Sequence, residues 1–381
     1  MVTRIAYPFV GDSVGGSHIS SLVLIQNLDR KRFEPLIILH ELGPLADYLN
    51  QKNIPFIHLP IPAYAGSTPN PLKILWNAIR SAPTVRSFVQ DNRVNIVHTN
   101  DLRMNLTWSL GCIGKLTKSI WHQRSLPKSR SYLWQAIPFF TDHTIAISHK
   151  AEGSLRHSNR FQISTIYNPV VKPGLIKHEN IRTQLGIAHD ATVLIFIGRL
   201  VEYKRPNFFI EVVAKAQKKS IKPVHGILLG ANQEGRKNDL LQQTASNDLN
   251  ANIHFVDFQA SVTPYLLASN LLIAPCKIEA FGRTLVEAMF AGVPVIAADA
   301  GGHQEIIDRP GVGFLCAPNS VDAFVEKIVE LEADPALYQS IKAQALDMAS
   351  KRFSVESHVA SVSRIYDDLV KPNDVEPRQF L

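Results

Sequence analysis

Two glutamates and two cations are the residues of this sequence best suited to chemistry. Glu279 and Glu287 stand with seven residues between them in PCKIEAFGRTLVEAMFAGVPVIAADAGGHQE, residues 275–305. Phe281-Gly282-Arg283 opens a helix with an apolar face of Leu285, Ala288 and Met289, at i, i+3, i+4 spacing. Glu279 is expected in the loop before that helix and Glu287 about two turns in, so the carboxylates sit about 12 Å apart along the axis. Paired carboxylates that cleave glycosides with retention lie about 5 Å apart, so these two do not make an acid–base pair. Their separation suits the two hydroxyl-rich ends of one long ligand, such as the sugar and the ribose of a nucleotide sugar. An ionised carboxylate only accepts hydrogen bonds, which fits both roles. The backbone N–H groups near Phe281, Gly282 and Arg283, at the helix start, would face the phosphates between the two ends.

Arg199 and Lys204 lie just past a predicted strand, Val193–Ile197, that ends at Gly198. Open α/β sheets bind ligands at the carboxyl ends of their strands. Two cations at this spacing can grip one diphosphate from two sides, Arg as a planar fork and Lys as a point charge. In an arbitrary chain each of the four residues is a solvated surface charge; their shared frame argues for a site. No two aspartates are spaced D-x-D anywhere in the chain, so no metal site is expected on the diphosphate. Leaving-group charge then falls to protein cations and helix N-termini.

The rest of the chain alternates short apolar strands with amphipathic helices. Candidate strands are Arg4–Phe9, Pro35–Leu39, Ile54–His58, Ile96–His98, Ser119–His122 and Thr144–Ser148, then Val193–Ile197, Val224–Leu229, Ile253–Val256, Leu271–Ala274 and Val295–Ala297. Ser17–Asp29 and Lys73–Gln90 have helical patterning. Such alternation predicts parallel sheets covered by helices. Pro169, Pro173 and the polar residues of Tyr167–Gly186 break the rhythm as an interdomain linker does. The domains expected are 1–170, a linker 171–186, 187–354, a helix 355–371 and a tail 372–381. No G-x-G-x-x-G follows any candidate strand, which removes the usual dinucleotide fingerprint. Gly15 and Gly16 in GDSVGGS still allow close backbone approach after the first strand. Alone, that loop is a plain turn.

The glutamate segment resembles the signature of family 4 glycosyltransferases, retaining enzymes of GT-B architecture. IFIGRLVEYKRP, residues 195–206, is similar to that family's strand followed by G-R-L-x-x-x-K. The likeness runs from about residue 5 to about residue 370. It implies an α/β fold of two Rossmann-like domains facing a cleft, with the helix Val355–Val370 crossing back to the first. It implies a retaining, metal-independent transferase with a UDP- or GDP-sugar donor and no cofactor. Gly15, Gly16, Arg199, Lys204, Glu279, Phe281, Gly282, Arg283 and Glu287 would bind the donor, Glu287 at the ribose and Glu279 at the transferred sugar. Gly301, Gly302 and Glu305 would support them. Family members often show H-x-H where this chain has His98-Thr99-Asn100, so the second histidine is absent. Asn100 can orient a hydroxyl but cannot take its proton. Asp101, a donor phosphate oxygen, or His122 or Arg124 acting indirectly remain for that step. His98, Asn100, Asp101 and Arg124 form the expected acceptor side. The implied front-face displacement leaves no covalent nucleophile. Another GT-B enzyme, an epimerase or a phosphorylase, and a non-catalytic binding protein are the rival classes. No pyridoxal phosphate lysine motif is evident, and the intact cations and glutamates argue against lost turnover.

Composition sets the partners. The chain has 381 residues, 45% hydrophobic and 19% charged, ordinary for globular domains with proper cores. Cys112, Cys276 and Cys316 form no cluster and no disulfide framework, which points to a reducing cytosol. Neither a secretory signal nor an apolar run long enough to span a bilayer is recognised. The net charge of +7 is uneven: residues 1–165 hold 18 Lys and Arg against 9 Asp and Glu, while residues 166–381 hold 22 against 24. The basic half predicts an anionic partner. Ser125–Phe140 interleaves Lys128 and Arg130 with Tyr132, Trp134, Phe139 and Phe140, and Leu72–Arg80 places Trp76 between Lys73 and Arg80. That mixture suits an anionic membrane surface, and equally an ordinary buried aromatic face. No recognised nucleic-acid module accompanies the basic half. The expected partners are a nucleotide sugar, a glycan or lipid-linked acceptor and the inner face of the cell membrane, without nucleic acid.

Overall fold

The computed structural model describes residues 2–61, 64, 70–114, 116–126, 141–155, 162–174, 180–232 and 235–371. Of the expected basic-aromatic stretch Ser125–Phe140, residues 127–140 lie outside them, as does the tail 372–381. The chain divides into two units. Unit 1 comprises Met1–Pro169 and Val355–Leu381, and unit 2 Val170–Ser354.

Unit 1 holds a parallel sheet of order β3-β2-β1-β4-β5-β6-β7. Its strands are β1 Thr3–Phe9, β2 Phe33–Leu39, β3 Ile57–His58, β4 Ile96–Thr99, β5 Lys118–Gln123, β6 His143–Ala146 and β7 Gln162–Thr165. Alternation along β1 sorts side chains to two cores. Ile5, Tyr7 and Phe9 pack with Leu22, Leu24 and Ile25 of the helix Gly16–Asn27 and with Val362, Ile365 and Tyr366 of the helix Val355–Val370. Ala6 joins the opposite core, with Val85, Val89, Met104 and Trp108. The C-terminal helix therefore belongs to unit 1, as the family resemblance implied.

Unit 2 holds a parallel sheet of order β10-β9-β8-β11-β12-β13. Its strands are β8 Thr192–Ile197, β9 Val224–Leu229, β10 Ile253–Val256, β11 Leu271–Ala274, β12 Val295–Ala298 and β13 Phe314–Cys316. The helix Pro206–Lys219 buries Phe208, Phe209, Val212, Val213 and Ala216 in the core beside Leu194 and Leu228. Full burial of a side chain such as Phe209 contributes about 1.5–3 kcal/mol relative to exposure. Unit 2 begins at Val170, so it takes in the described part of the segment expected as linker, including a short helix at Ile181–Gln184 that buries Ile181.

Four elements differ most from the sequence expectation. The strand at 54–58 shrinks to Ile57–His58, and Ser148 lies beyond β6 as the N-cap of His149–Glu152, its hydroxyl accepting from the Ala151 N–H. β7 and β13 are strands the pattern did not single out. In both sheets, together all parallel and GT-B in class, strand order reverses at one place: beside β1 and β4 in unit 1, beside β8 and β11 in unit 2. Loops leaving the carboxyl ends of strands diverge there and open a crevice.

Candidate active site

In unit 2 both motifs sit at that reversal. The Arg199–Lys204 loop leaves β8 and the Pro275–Glu279 loop leaves the adjacent β11. Three links tie the loops together. Lys204 Nζ pairs with Glu279 Oε2, each side chain 21% exposed. Arg205 Nη1 donates to the Pro275 carbonyl at 3.1 Å, and Cys276 Sγ donates to the Tyr203 carbonyl at 3.3 Å. Burial alone would lower the Lys204 pKa; the Glu279 carboxylate outweighs it and holds the ammonium above its ordinary value. Arg199 donates to the Tyr203 hydroxyl, and both Arg199 and Lys204 lie 5.7 Å from the Tyr203 ring centre. The two expected diphosphate cations thus flank one aromatic ring, and one of them already holds a carboxylate.

Arg205 adopts a left-handed backbone, φ 61°. Pro206 disfavours the right-handed helix at the residue before it. A second hydrogen bond from the Arg205 guanidinium to the Pro318 carbonyl and stacking on Phe208, 4.2 Å to the ring centre, hold this sparsely populated conformation. Its effect is to end the Glu202–Lys204 turn and start the next helix with Lys204 aimed at Glu279.

The glutamate segment folds with a tighter start than its pattern implied. Gly282 has φ 103°, which a continuing helix cannot use, so the helix runs Arg283–Phe290. Glu287 is its fifth residue, about one turn in rather than two. Arg283 Nε and Nη2 both reach Glu287 Oε1, at 3.0 and 2.9 Å. Both glutamates of the signature are therefore engaged by cations. Gly301 and Gly302 fix the backbone of Glu279 from the loop after β12: the Gly302 N–H donates to the Glu279 carbonyl at 2.9 Å. A Cβ on Gly301 would stand 2.7 Å from that oxygen, so no larger residue fits. His303 follows, buried with Nδ1 against the Ala298 carbonyl, and burial holds it neutral by lowering its pKa.

The expected acceptor residues converge in unit 1 at the carboxyl ends of β4 and β5. Arg124 donates through Nε to Asn100 Oδ1 at 2.9 Å, through Nη1 to Asn168 Oδ1 and through Nη2 to His122 Nδ1 at 3.2 Å. A guanidinium only donates, so His122 Nδ1 is an acceptor. His98 Nε2, 3.1 Å away, must then be its other donor. His98 Nδ1 in turn accepts from the Tyr366 hydroxyl at 2.6 Å, and Tyr366 accepts from Tyr7. One arginine thus sets the direction of a buried polar chain across three strands and the C-terminal helix. Burial first, and the Arg124 charge next, push His98 and His122 well below the ordinary histidine value and His358 down to about 3. His98 is a core histidine with both ring nitrogens occupied. Asn100 is 4% exposed, and its Nδ2 has no partner among the described residues.

Asp101 caps the helix Leu102–Cys112, its carboxylate accepting from the Met104 N–H at 2.8 Å. Burial raises its pKa. Gly15 caps the helix Gly16–Asn27, and the Gly15 N–H donates to His18 Nδ1 at 3.1 Å. Arg103, in the first turn of the helix Leu102–Cys112, pairs with Asp12 of the β1 loop at 2.6 Å. Tyr203, Arg205, His303, His18 and Tyr366 were not singled out from the sequence. Only Arg205, standing before a proline, carried a local signal.

Known proteins are similar to the chain in sequence and in fold. Residues 177–348 match the family model described as Glycosyl transferases group 1, a stretch that contains all four motif residues. The chain is 26% identical over 211 residues to N-acetyl-alpha-D-glucosaminyl L-malate synthase of Bacillus anthracis, covering 55% of this chain and 54% of that protein. It thus spans about half the length of that relative. It is 21% identical over 388 residues to the UDP-Gal:alpha-D-GlcNAc-diphosphoundecaprenol alpha-1,3-galactosyltransferase of Escherichia coli, covering 96% and 97%. Anabaena HepE, solved in complex with UDP and glucose, superposes with a TM-score of 0.79 at 21% identity, over 96% of this chain and 100% of that one. That likeness shows the shared fold. Residues 177–348 are thus similar to glycosyl transferases group 1, and the pair of Lys204 with Glu279 at the strand-order reversal lies within that stretch.

Proposed function

We propose that the protein is a retaining glycosyltransferase that moves a sugar from a nucleoside diphosphate sugar to a glycan or lipid-linked acceptor without a metal ion. The observation that carries this reading is the meeting of Lys204 and Glu279 where the β8 and β11 loops diverge, with Arg199 beside them. Arg199 and Lys204 receive the diphosphate, Glu287 the ribose hydroxyls and Glu279 the hydroxyls of the transferred sugar. As the bond from the anomeric carbon to the diphosphate breaks, the acceptor oxygen bonds to that carbon from the same face. The acceptor's proton passes to a phosphate oxygen of the leaving group, with Asp101 as the alternative base. Charge growing on the diphosphate meets two fixed cations, so little reorganisation is needed during reaction. In unit 1 the buried Asn100 amide offers an N–H to an acceptor oxygen, and Arg124 orients it.

The UDP and glucose of the Anabaena structure support the donor class, and the E. coli relative's diphosphoundecaprenol substrate supports a lipid-linked acceptor. A panel of UDP- and GDP-sugars, with EDTA present, tests the reading. One donor should raise the unfolding temperature and be slowly hydrolysed. Stabilisation by none, or turnover only with added magnesium, overturns it.

A further inference from the structure

We propose that the N-terminal half of the helix Pro71–Asp91 is a docking face for an anionic lipid surface. It stands apart from the donor chemistry and does not depend on it. The C-terminal half of this helix is ordinary: Val85, Phe88 and Val89 are buried in the unit 1 core. The N-terminal half is inverted. Leu72 is 78% exposed, Leu75 55%, Trp76 62% and Ile79 51%. Their i, i+3, i+4, i+7 spacing puts all four on one stripe about a quarter of the helix circumference wide. Single exposed apolar residues are commonplace; a four-residue stripe with a tryptophan is not.

Charge decides what covers the stripe. Lys73 and Arg80 lie one turn of sequence to either side of Trp76 and share one edge of it. No Asp or Glu occurs from residue 48 to residue 90. Across residues 48–141 there are eleven Lys and Arg against only Asp91 and Asp101, a net charge of +9. An apolar stripe edged by cations, inside a segment nearly free of acids, complements lipid headgroups that are anionic above an apolar layer. Trp76 is suited to the boundary between them. A second copy of this chain would bring the same positive charge to the contact. No described helix is long and apolar enough to cross a membrane, so the stripe would lie in the interface.

The test is flotation of the full chain with vesicles of phosphatidylglycerol and phosphatidylcholine in equal parts, and with phosphatidylcholine alone. Binding to the anionic vesicles alone, released by salt, is expected. Lys73→Gln and Arg80→Gln should each weaken it about fivefold, and together about 25-fold. Leu72→Ser/Leu75→Ser/Trp76→Ser/Ile79→Ser should abolish binding while leaving the unfolding temperature unchanged. In a Trp134→Phe background the tryptophans other than Trp76 are the buried Trp108 and Trp121, so a blue shift of emission on binding should vanish when Trp76→Phe is added, while flotation persists. Equal binding to neutral vesicles, retained binding by the quadruple variant, or a wild-type dimer that ignores vesicles and becomes monomeric in that variant overturns the proposal.

Discussion

Glu279→Gln should tighten the binding of a bare nucleoside diphosphate and weaken that of the intact nucleotide sugar. In the free protein the Lys204 ammonium is held by Glu279. On the proposed reading, a diphosphate must take Lys204 from that carboxylate before it can be clamped. Two unit charges about 4 Å apart attract by about 4 kcal/mol at the effective dielectric of a protein surface. Most of this is offset by desolvation and ordering, and pairs of such partial exposure contribute about 1 kcal/mol net. Removing the competing charge should therefore improve the Kd of the bare diphosphate about fivefold. The intact donor gains the same amount and loses the sugar's hydrogen bonds to the carboxylate, about 1–3 kcal/mol, so it binds between equally well and about 30-fold worse. The assay is titration calorimetry of both ligands on wild type, Glu279→Gln and Lys204→Met. Lys204→Met should weaken both ligands, and the double variant should lose the gain seen in Glu279→Gln. Weakening of both ligands by one common factor in Glu279→Gln would refute competition for Lys204. The same pair predicts a flat pH response near neutrality. The Lys204 pKa is raised above 10.5, so the pair's contribution is complete below that value and fades only as pH rises through the higher folded value.

Other outcomes follow from the same geometry. Arg199→Ala and Lys204→Ala should each lower the transfer rate at least about 100-fold, while a chelator leaves wild type unaffected; full activity in either variant refutes the diphosphate clamp. Asp101→Ala should cost about 1 kcal/mol by removing a helix cap, whereas Asp101→Asn keeps the cap and stays within a few tenths. Transfer that survives Asp101→Asn assigns the acceptor proton to the phosphate oxygen, and transfer that falls while donor affinity holds assigns it to Asp101. His98, His122 and His358 are neutral in the folded state, and the unfolded chain takes up protons below pH 6.5. Stability should thus be full above that pH and decline as pH falls below it. All four tryptophans lie in unit 1, so their emission should report this acid loss; a midpoint constant down to about pH 4 contradicts the neutral chain.

Much of the fold was legible because buried parallel strands are written as continuous apolar runs. Val224–Leu229, Ile253–Val256 and Leu271–Ala274 coincide with their patterns residue for residue. β7, with the sequence QIST, and the three-residue β13 are sheet edges, partly exposed and short, so they carry no such run. The four chemical residues of unit 2 could be named from motif and spacing. Their contacts could not. That Lys204 holds Glu279 depends on two loops from strands over seventy positions apart meeting where strand order reverses. The short first turn before Glu287 depends on Gly282 at positive φ, a backbone choice that glycine permits but does not announce. Asp101 was open to two readings, and its backbone contact fulfils the capping one.

The place of Tyr366 bears on how the chain is made. Unit 1 is built from both ends of the sequence, with the whole of unit 2 in between. During synthesis the strands β1 to β7 emerge without the helix that supplies Val362, Ile365 and Tyr366 to their core. His98 then has no hydroxyl donor for its Nδ1, and the sheet face that the helix Gly16–Asn27 shares with the C-terminal helix stays partly uncovered while Val170–Ser354 is translated. At about 5–20 residues per second that interval lasts on the order of ten seconds or more. Unit 2 is contiguous and can close its own core within that time. Unit 1 thus begins to leave the ribosome before unit 2 and is completed after it, and a nascent chain stalled before residue 355 presents an incompletely sealed apolar sheet to chaperones.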